Sequence, residues 1–162
     1  MPRSTRPTIR PFRLLPLAFL FSAIVVPGAA QAQMAGHGAT GDDADAEAIR
    51  EVIQSAYVSG LHMNGSREDI RAGFHPDFVM TVLRNGETGK VAIEDWIGGL
   101  PPEGTAVDRV VTAEIPMVDR NGDTAVARIE VTIDGKHTYT DYMGLYRFPE
   151  GWRIVNKIFQ AH

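Results

Sequence analysis

The chain is 162 residues long, has no cysteine, and carries sixteen basic against twenty acidic residues for a net charge of −4. A domain of this size can build an ordinary hydrophobic core without disulfides, and the negative balance makes nucleic acid and anionic membrane surfaces poor partners. No P-loop, H-E-x-x-H or G-x-S-x-G pattern occurs, and none of the five histidines has a partner at metal-ligand spacing, so neither a metal nor a cofactor is expected.

Residues 1–32 read as a secretory signal peptide. Arg3, Arg6, Arg10 and Arg13 form a basic start, and Leu14 to Val26 is apolar. Ala30-Gln31-Ala32 follows as an A-x-A cleavage site. The apolar run is shorter than the ~18–20 residues a membrane-spanning helix needs. Cleavage after Ala32 predicts a periplasmic or secreted protein with no membrane attachment. It removes four arginines and no acid, which takes the net charge from −4 to −8. Residues 33–44, rich in Gly, Ala and Asp, read as a flexible leader, and residues 45–162 as one domain.

From Asp45 to His62 the apolar residues Ile49, Val52, Ile53, Ala56, Tyr57, Gly60 and Leu61 keep the i, i+3, i+4, i+7 spacing of an amphipathic α-helix. Acidic residues gather at its start and His62 closes it, each suited to its end of the helix dipole. Ser66 to Asp69 reads as a capping box opening a short helix, with Gly73 as its C-cap and Pro76 beyond. Phe78 to Leu83 is a strand that Asn85-Gly86 turns into a short partner. Ile93, Trp96, Ile97 and Leu100 return to helical spacing before Pro101-Pro102. Val107 to Val118 is a strand whose Pro116 requires an edge or a bulge.

The last third reads as a three-strand meander. Asp134-Gly135 is a strong two-residue hairpin signal, because its turn needs positive φ at both positions. That turn pairs Ile133 with Lys136. Counting back, Val131 falls opposite Thr138, Ile129 opposite Thr140, Ala127 opposite Tyr142 and Ala125 opposite Gly144. A three-residue turn at Pro149-Glu150-Gly151 pairs Phe148 with Trp152 and brings Gly144 to Asn156. Both hairpins then predict one inner face holding Thr140, Tyr142, Gly144, Asn156 and Gln160. The alternate set, with Asp141 across from Arg128 as an ion pair, faces outward. Met143, Leu145, Val155 and Phe159 fall on that outer face and predict a homodimer interface.

Several stretches together resemble the nuclear transport factor 2-like superfamily, and within it the putative lumazine-binding group. They are Ala48-Ile49-Arg50 through Tyr57, Phe74-His75-Pro76-Asp77-Phe78, Asp141-Tyr142 through Leu145, and above all Gly151-Trp152-Arg153-Ile154-Val155-Asn156-Lys157. The resemblance covers Glu47 to Phe159. It implies an α+β fold in which a curved, mostly antiparallel sheet wraps N-terminal helices around a small-molecule pocket. It also implies Tyr57 as the counterpart of an oxyanion-donating tyrosine in the ketosteroid isomerases of the superfamily. The two isomerase carboxylates would fall near Val82 and at Gly144, where this chain has none, so that particular chemistry is disfavoured.

Tyr57, His75, Trp96, Tyr142, Gly144 and Asn156 are therefore the candidate ligand-binding residues, with a small, flat, partly aromatic ligand as the partner. The first functional expectation is an exported small-molecule-binding protein. The alternative is an isomerase, dehydratase or cyclase using Tyr57 or His75 as its acid-base group, and a third is an interaction module built on the outer face. For His75 a turn or capping role competes with proton transfer, and for Tyr57 and Trp96 plain core packing competes with ligand contact.

Overall fold

The computed structural model describes residues 39–162, with side chains from 44 onward, so the signal-peptide reading and the first part of the leader concern residues outside that range. Helix α1 (Ala39–Val52) begins inside the segment read as a leader. It runs without a break into a π-helix (Ile53–His62), followed by α2 (Arg67–Gly73). Strands β1 (Phe74–Arg84) and β2 (Glu87–Ala92), helix α3 (Ile93–Gly98) and strands β3 (Val111–Asn121), β4 (Thr124–Ile133), β5 (Lys136–Phe148) and β6 (Gly151–Ala161) complete it. The six strands form one sheet in the order β2-β1-β6-β5-β4-β3, with only the β1–β6 pair parallel. The α+β architecture expected from the sequence is the one observed.

The core lies between the helices and one face of this sheet. Ile49, Ile53, Ala56, Tyr57 and Leu61 meet Ala125, Ala127, Ile129 and Val131 of β4, Met143 and Leu145 of β5 and Ile154 of β6, all nearly or fully buried. Pro116 sits where β3, an edge strand, shifts register between Glu114 and Met117, as its missing N–H requires. Ser66 caps α2 by accepting from Asp69 N–H at 3.1 Å. Gly73 is the last residue of α2 rather than its cap, and close approach is what it provides. A β-carbon on Gly73 would overlap the Ala56 methyl, and one on Gly60 would lie 2.5 Å from Ile70 Cγ1.

Helix α2 thus lies backbone-close on the π-helix, which anchors the segment carrying Tyr57. Gly73→Ala is expected to lower stability by ~1–3 kcal/mol through overpacking, read as a fall in thermal midpoint. Gly98→Ala is the control, because its added methyl meets open space. Equal behaviour of the two variants would refute the close-approach account.

The face assignment on β5 and β6 differs from the sequence expectation. Asp134 and Gly135 take φ of 51° and 78° and pair Ile133 with Lys136, as expected. Register then shifts: Thr132 pairs with His137 but Val131 with Tyr139, leaving Thr138 as an extra residue on β5. Its hydroxyl donates to Lys136 O at 2.9 Å, a local bond that serves the bulge. Beyond that point every β5 side chain changes face. Ile129 now opposes Asp141, Ala127 opposes Met143 and Ala125 opposes Leu145.

The second turn has two residues, with Phe148 paired to Gly151, and a bulge at Val155 restores Gly144 opposite Asn156. Tyr142, Gly144, Asn156, Ile158 and Gln160 therefore share the outer face. Met143 and Leu145, expected outside, are core.

Candidate functional site

Flipping β5 carries Asp141 inward, and the Val155 bulge does the same for Lys157. Neither residue meets a simple apolar wall. Asp141 is fully buried, Lys157 is 4% exposed, and both converge on the fully buried Tyr57 of the π-helix. The Tyr57 hydroxyl donates to Asp141 Oδ2 at 2.5 Å and accepts from Lys157 Nζ at 2.6 Å. Lys157 Nζ lies 2.9 Å from Asp141 Oδ1, which closes the ion pair. Four aromatic rings surround the Nζ. Its distances to the ring centroids are 4.5 Å for Tyr57, 5.0 Å for Phe159, 5.2 Å for Trp96 and 6.0 Å for Tyr139, within the range at which a cation is attracted to a ring face.

Burial governs the protonation of these groups. It holds the Tyr57 phenol well above its ordinary value, and the Asp141 charge adds to the effect. It pushes the Lys157 ammonium below its ordinary value, with Asp141 pulling in the opposite direction. Tyr57 and Lys157 open onto a cavity of about 300 Å³, lined further by Met80, Trp96, Leu100, Ile133, Tyr139 and Phe159, with His62 and Arg109 also at its edge. Asp141 lies behind this lining and acts on the cavity only through its two partners.

The π-helix explains a residue that sequence periodicity places elsewhere. Tyr57 and His62 are five apart, and an α-helix of 3.6 residues per turn would send them to different faces. Here Met63 N–H donates to Val58 O across five residues at 3.1 Å, and the Tyr57 and His62 rings meet edge-to-face at 4.6 Å. The sequence suggests a His62 favoured as a cation by the helix end. Instead burial, then Lys157 and Arg109, push its pKa down to about 4. Arg109 also donates to the His62 carbonyl at 2.6 Å and 3.2 Å. Nε2 of His62 is buried and has no protein partner, and the residue belongs to the lining of the cavity.

A pH effect follows from this depressed value. The unfolded histidine protonates below about 6.5 while the folded one stays neutral to about 4. Stability from this group is therefore full above 6.5 and is lost as pH falls from 6.5 towards 4, by up to ~3 kcal/mol. Denaturation midpoints at pH 7, 5.5 and 4 should converge between wild type and His62→Gln as pH falls. Parallel pH curves for the two proteins would contradict a buried neutral His62.

Of the six residues singled out from sequence, Tyr57 and Trp96 line this cavity and the other four do not. His75 is tied into its own turn, where its Nδ1 accepts from Asp77 N–H at 3.1 Å and its ring stacks on Phe148 at 4.8 Å. Tyr142 is on the outer face, 40% exposed. The Asn156 amide, expected to reach a ligand through the gap above Gly144, fills that gap itself on the outer side and accepts from Gly144 N–H at 3.2 Å. Arg128, expected to pair with Asp141, instead pairs with Glu130 on its own strand. Val82 pairs with Gly89 in the β1–β2 hairpin, away from the cavity. Asp141 thus supplies a carboxylate to the inner face, where the sequence reading finds none.

A larger, more open groove of about 690 Å³ runs between α1, the π-helix and β3, but exposed side chains such as Glu47, Glu51 and Gln54 line it and it holds no buried titratable group. Among the described residues, no group of three or more histidines, cysteines and acids is placed to hold a metal ion, and no helix is long and apolar enough to cross a membrane.

The chain is similar to known proteins in both sequence and fold. Aldolase FrzH from Cladobotryum sp. is 31% identical over 115 residues, covering 68% of this chain and 89% of its own. An NTF2-like protein from Shewanella baltica superposes with a TM-score of 0.58 at 22% identity, covering 74% of this chain and 95% of that one. Another, from Silicibacter pomeroyi, gives 0.58 at 19% identity, covering 76% and 98%. These two likenesses establish the fold, a nuclear transport factor 2-like sheet and helices. The family model described as "Putative lumazine-binding" matches residues 44–160, nearly the whole described domain, and the chain belongs to that family.

Proposed function

We propose that this protein is an enzyme that makes or breaks a carbon–carbon bond beside the carbonyl of a small compound held in the 300 Å³ cavity. The observation that carries the reading is the buried Asp141–Tyr57–Lys157 chain, whose tyrosine and lysine ends open on that cavity. A carbonyl oxygen directed at Lys157 would meet a positive charge in a site shielded from water, where stabilisation of a developing enolate is worth most. Tyr57, already donating to Asp141, can take up a proton from the substrate carbon while passing its own to the carboxylate. Asp141 then holds that proton with no exposure to solvent. The relative named as an aldolase supports this class of reaction.

The test is exchange of α-hydrogens for deuterium in a panel of small aldehydes and ketones, followed by NMR. Wild type should accelerate exchange in at least one member and Tyr57→Phe should not. Absence of enzyme-dependent exchange across the panel would end the proposal.

A purely binding role has one feature in its favour. Trp96, Tyr139 and Phe159 give the cavity flat apolar walls suited to a heteroaromatic ring, in keeping with the family's description. Saturable calorimetric binding of a pterin, with no exchange activity on any carbonyl compound, would select that role.

The proposal places the enzyme outside the cytoplasm, supported by the basic, apolar and A-x-A segments of residues 1–32. N-terminal sequencing of the exported form should begin at Gln33, and protein retained in the cytoplasm with residues 1–32 intact would remove export. A homodimer would use the outer sheet face, where Val126, Tyr142, Tyr146 and Ile158 are exposed on adjoining strands. A sedimentation coefficient for a monomer at high concentration would exclude it.

A further inference from the structure

We propose that Lys157 is a covalent nucleophile which forms a Schiff base with the carbonyl carbon of an uncharged, flat or aromatic aldehyde or ketone. This rests on the carbonyl-chemistry reading above and specifies how the carbonyl is held.

Four features of the site converge on Nζ. First, the amine is buried, so its charged form has lost most of its hydration and release of its proton costs far less than in water. Second, an acceptor for that proton is in contact: Asp141 Oδ1 at 2.9 Å, itself fully buried. Moving the proton from ammonium to carboxylate removes two buried charges at once, which offsets much of its cost in a low-dielectric site. Third, Lys157 is part of the lining of a cavity large enough for a small carbonyl compound, with Met80, Leu100, Ile133 and Phe159 as apolar walls. Fourth, the Tyr57 hydroxyl sits 2.6 Å from Nζ, where it can deliver a proton to an oxygen leaving the same carbon.

The step balances without a co-reactant. The Lys157 ammonium gives one proton to Asp141, and its freed lone pair forms the C–N bond while the carbonyl π pair moves to oxygen. That oxygen takes the proton back from Asp141 by way of Tyr57 or of the Lys157 nitrogen. A second nitrogen proton follows it, and the C–O bond breaks to release water. Ammonium plus carbonyl becomes iminium plus water, and Asp141 is a carboxylate at both ends. The positive charge on nitrogen is conserved, so the four aromatic rings and the carboxylate that hold the ammonium hold the iminium equally well. The site is preorganised for both states, and this distinguishes it from an ion pair that merely fills space.

The deciding experiment treats the wild-type protein with sodium borohydride at pH 7 in the presence of propanal, acetone or phenylacetone, followed by peptide mapping. The other two lysines, Lys90 and Lys136, are exposed and serve as internal controls. The expected result is a reduced adduct on Lys157 at least ~10-fold in excess over either control, since Lys157 has a buried carboxylate in contact to take its proton. Lys157→Arg, which keeps the charge but cannot form an imine, should lose ~100-fold or more of the deuterium exchange. An adduct shared evenly among the three lysines, or confined to the two exposed ones, overturns the proposal.

Exchange that proceeds in wild type without any Lys157 adduct also overturns it, yet leaves the carbonyl-chemistry reading standing. Absence of both exchange and adduct removes that reading and the covalent step with it. The trapping result needs no variant to fold, so it decides even if Lys157→Arg does not.

Discussion

Asp141→Asn is expected to lower folding stability by ~3–5 kcal/mol and to abolish turnover, because it leaves the Lys157 charge buried with no counterion. The cost has a ceiling. Lys157 escapes by losing its proton, and neutralising a lysine of ordinary pKa near 10.5 at pH 7 costs about 5 kcal/mol. Deprotonation also fixes the sign of the pH dependence. The folded variant would bind fewer protons than its unfolded chain between neutrality and about pH 10, so its stability should rise with pH across that window. Urea denaturation of wild type and variant from pH 6 to 10 measures this directly. A variant within ~1 kcal/mol of wild type at pH 7 would mean that Asp141 does not balance a buried Lys157 charge, and a deficit independent of pH would mean that Lys157 keeps its proton in the folded variant.

The companion double variant, Asp141→Leu with Lys157→Met, separates stability from function. Buried ion pairs replaced by apolar side chains of similar volume are often neutral or stabilising by ~1–4 kcal/mol. The double variant should therefore recover the stability lost in the single one while remaining inactive. Recovery without activity would show that the pair is retained for chemistry. If the double variant is as unstable as Asp141→Asn, the triad is a structural element and its proximity to the cavity carries no functional meaning.

How far this site is legible in the sequence depends on one residue. The inner face of β4 follows from the alternation Ala125, Ala127, Ile129, Val131, and the Asp134-Gly135 turn follows from its φ requirement. Thr138 is where legibility stops. A bulge inserts one residue with no compositional mark, and every side chain beyond it changes face. A warning is nevertheless present. The outward reading leaves Met143, Leu145, Val155 and Phe159 in solvent while sending Thr140, Tyr142, Asn156 and Gln160 to the core. An apolar stripe opposite a polar one is better explained by a register shift than by a dimer.

Lys157 is hidden for the same reason, since a lysine in a strand is ordinarily a solvent-face residue. The helix shows a subtler version. Ile53, Ala56, Tyr57 and Leu61 are buried at spacings that suit an α-helix and a π-helix alike, so the apolar pattern identifies the buried side but not the winding. Only the wider turn brings His62 beside Tyr57. Tyr57 and Trp96 were accessible from sequence because they lie outside the bulged strands.

Tyr57→Phe gives the second large effect and discriminates among the roles left open for this residue. Removing the hydroxyl keeps the ring, its contact with His62 and its place in the core, so the fold should survive. The Asp141–Lys157 contact at 2.9 Å remains, and the loss at Asp141 Oδ2 is one hydrogen-bond donor, worth ~1–3 kcal/mol of stability. If Tyr57 handles protons, kcat should fall by ~10²–10⁴-fold, the usual scale for removing a general acid-base group, while KM changes little. Borohydride trapping on Lys157 should still succeed, because the nucleophile and its carboxylate partner are intact. The variant would accumulate the imine and turn it over slowly. A tyrosine that only fills space would give wild-type turnover in the phenylalanine variant. An oxyanion donor that polarises the carbonyl before any bond forms would show impaired trapping and impaired exchange together. Exchange rate and trapping yield, measured on the same sample, therefore place Tyr57 before or after the covalent step.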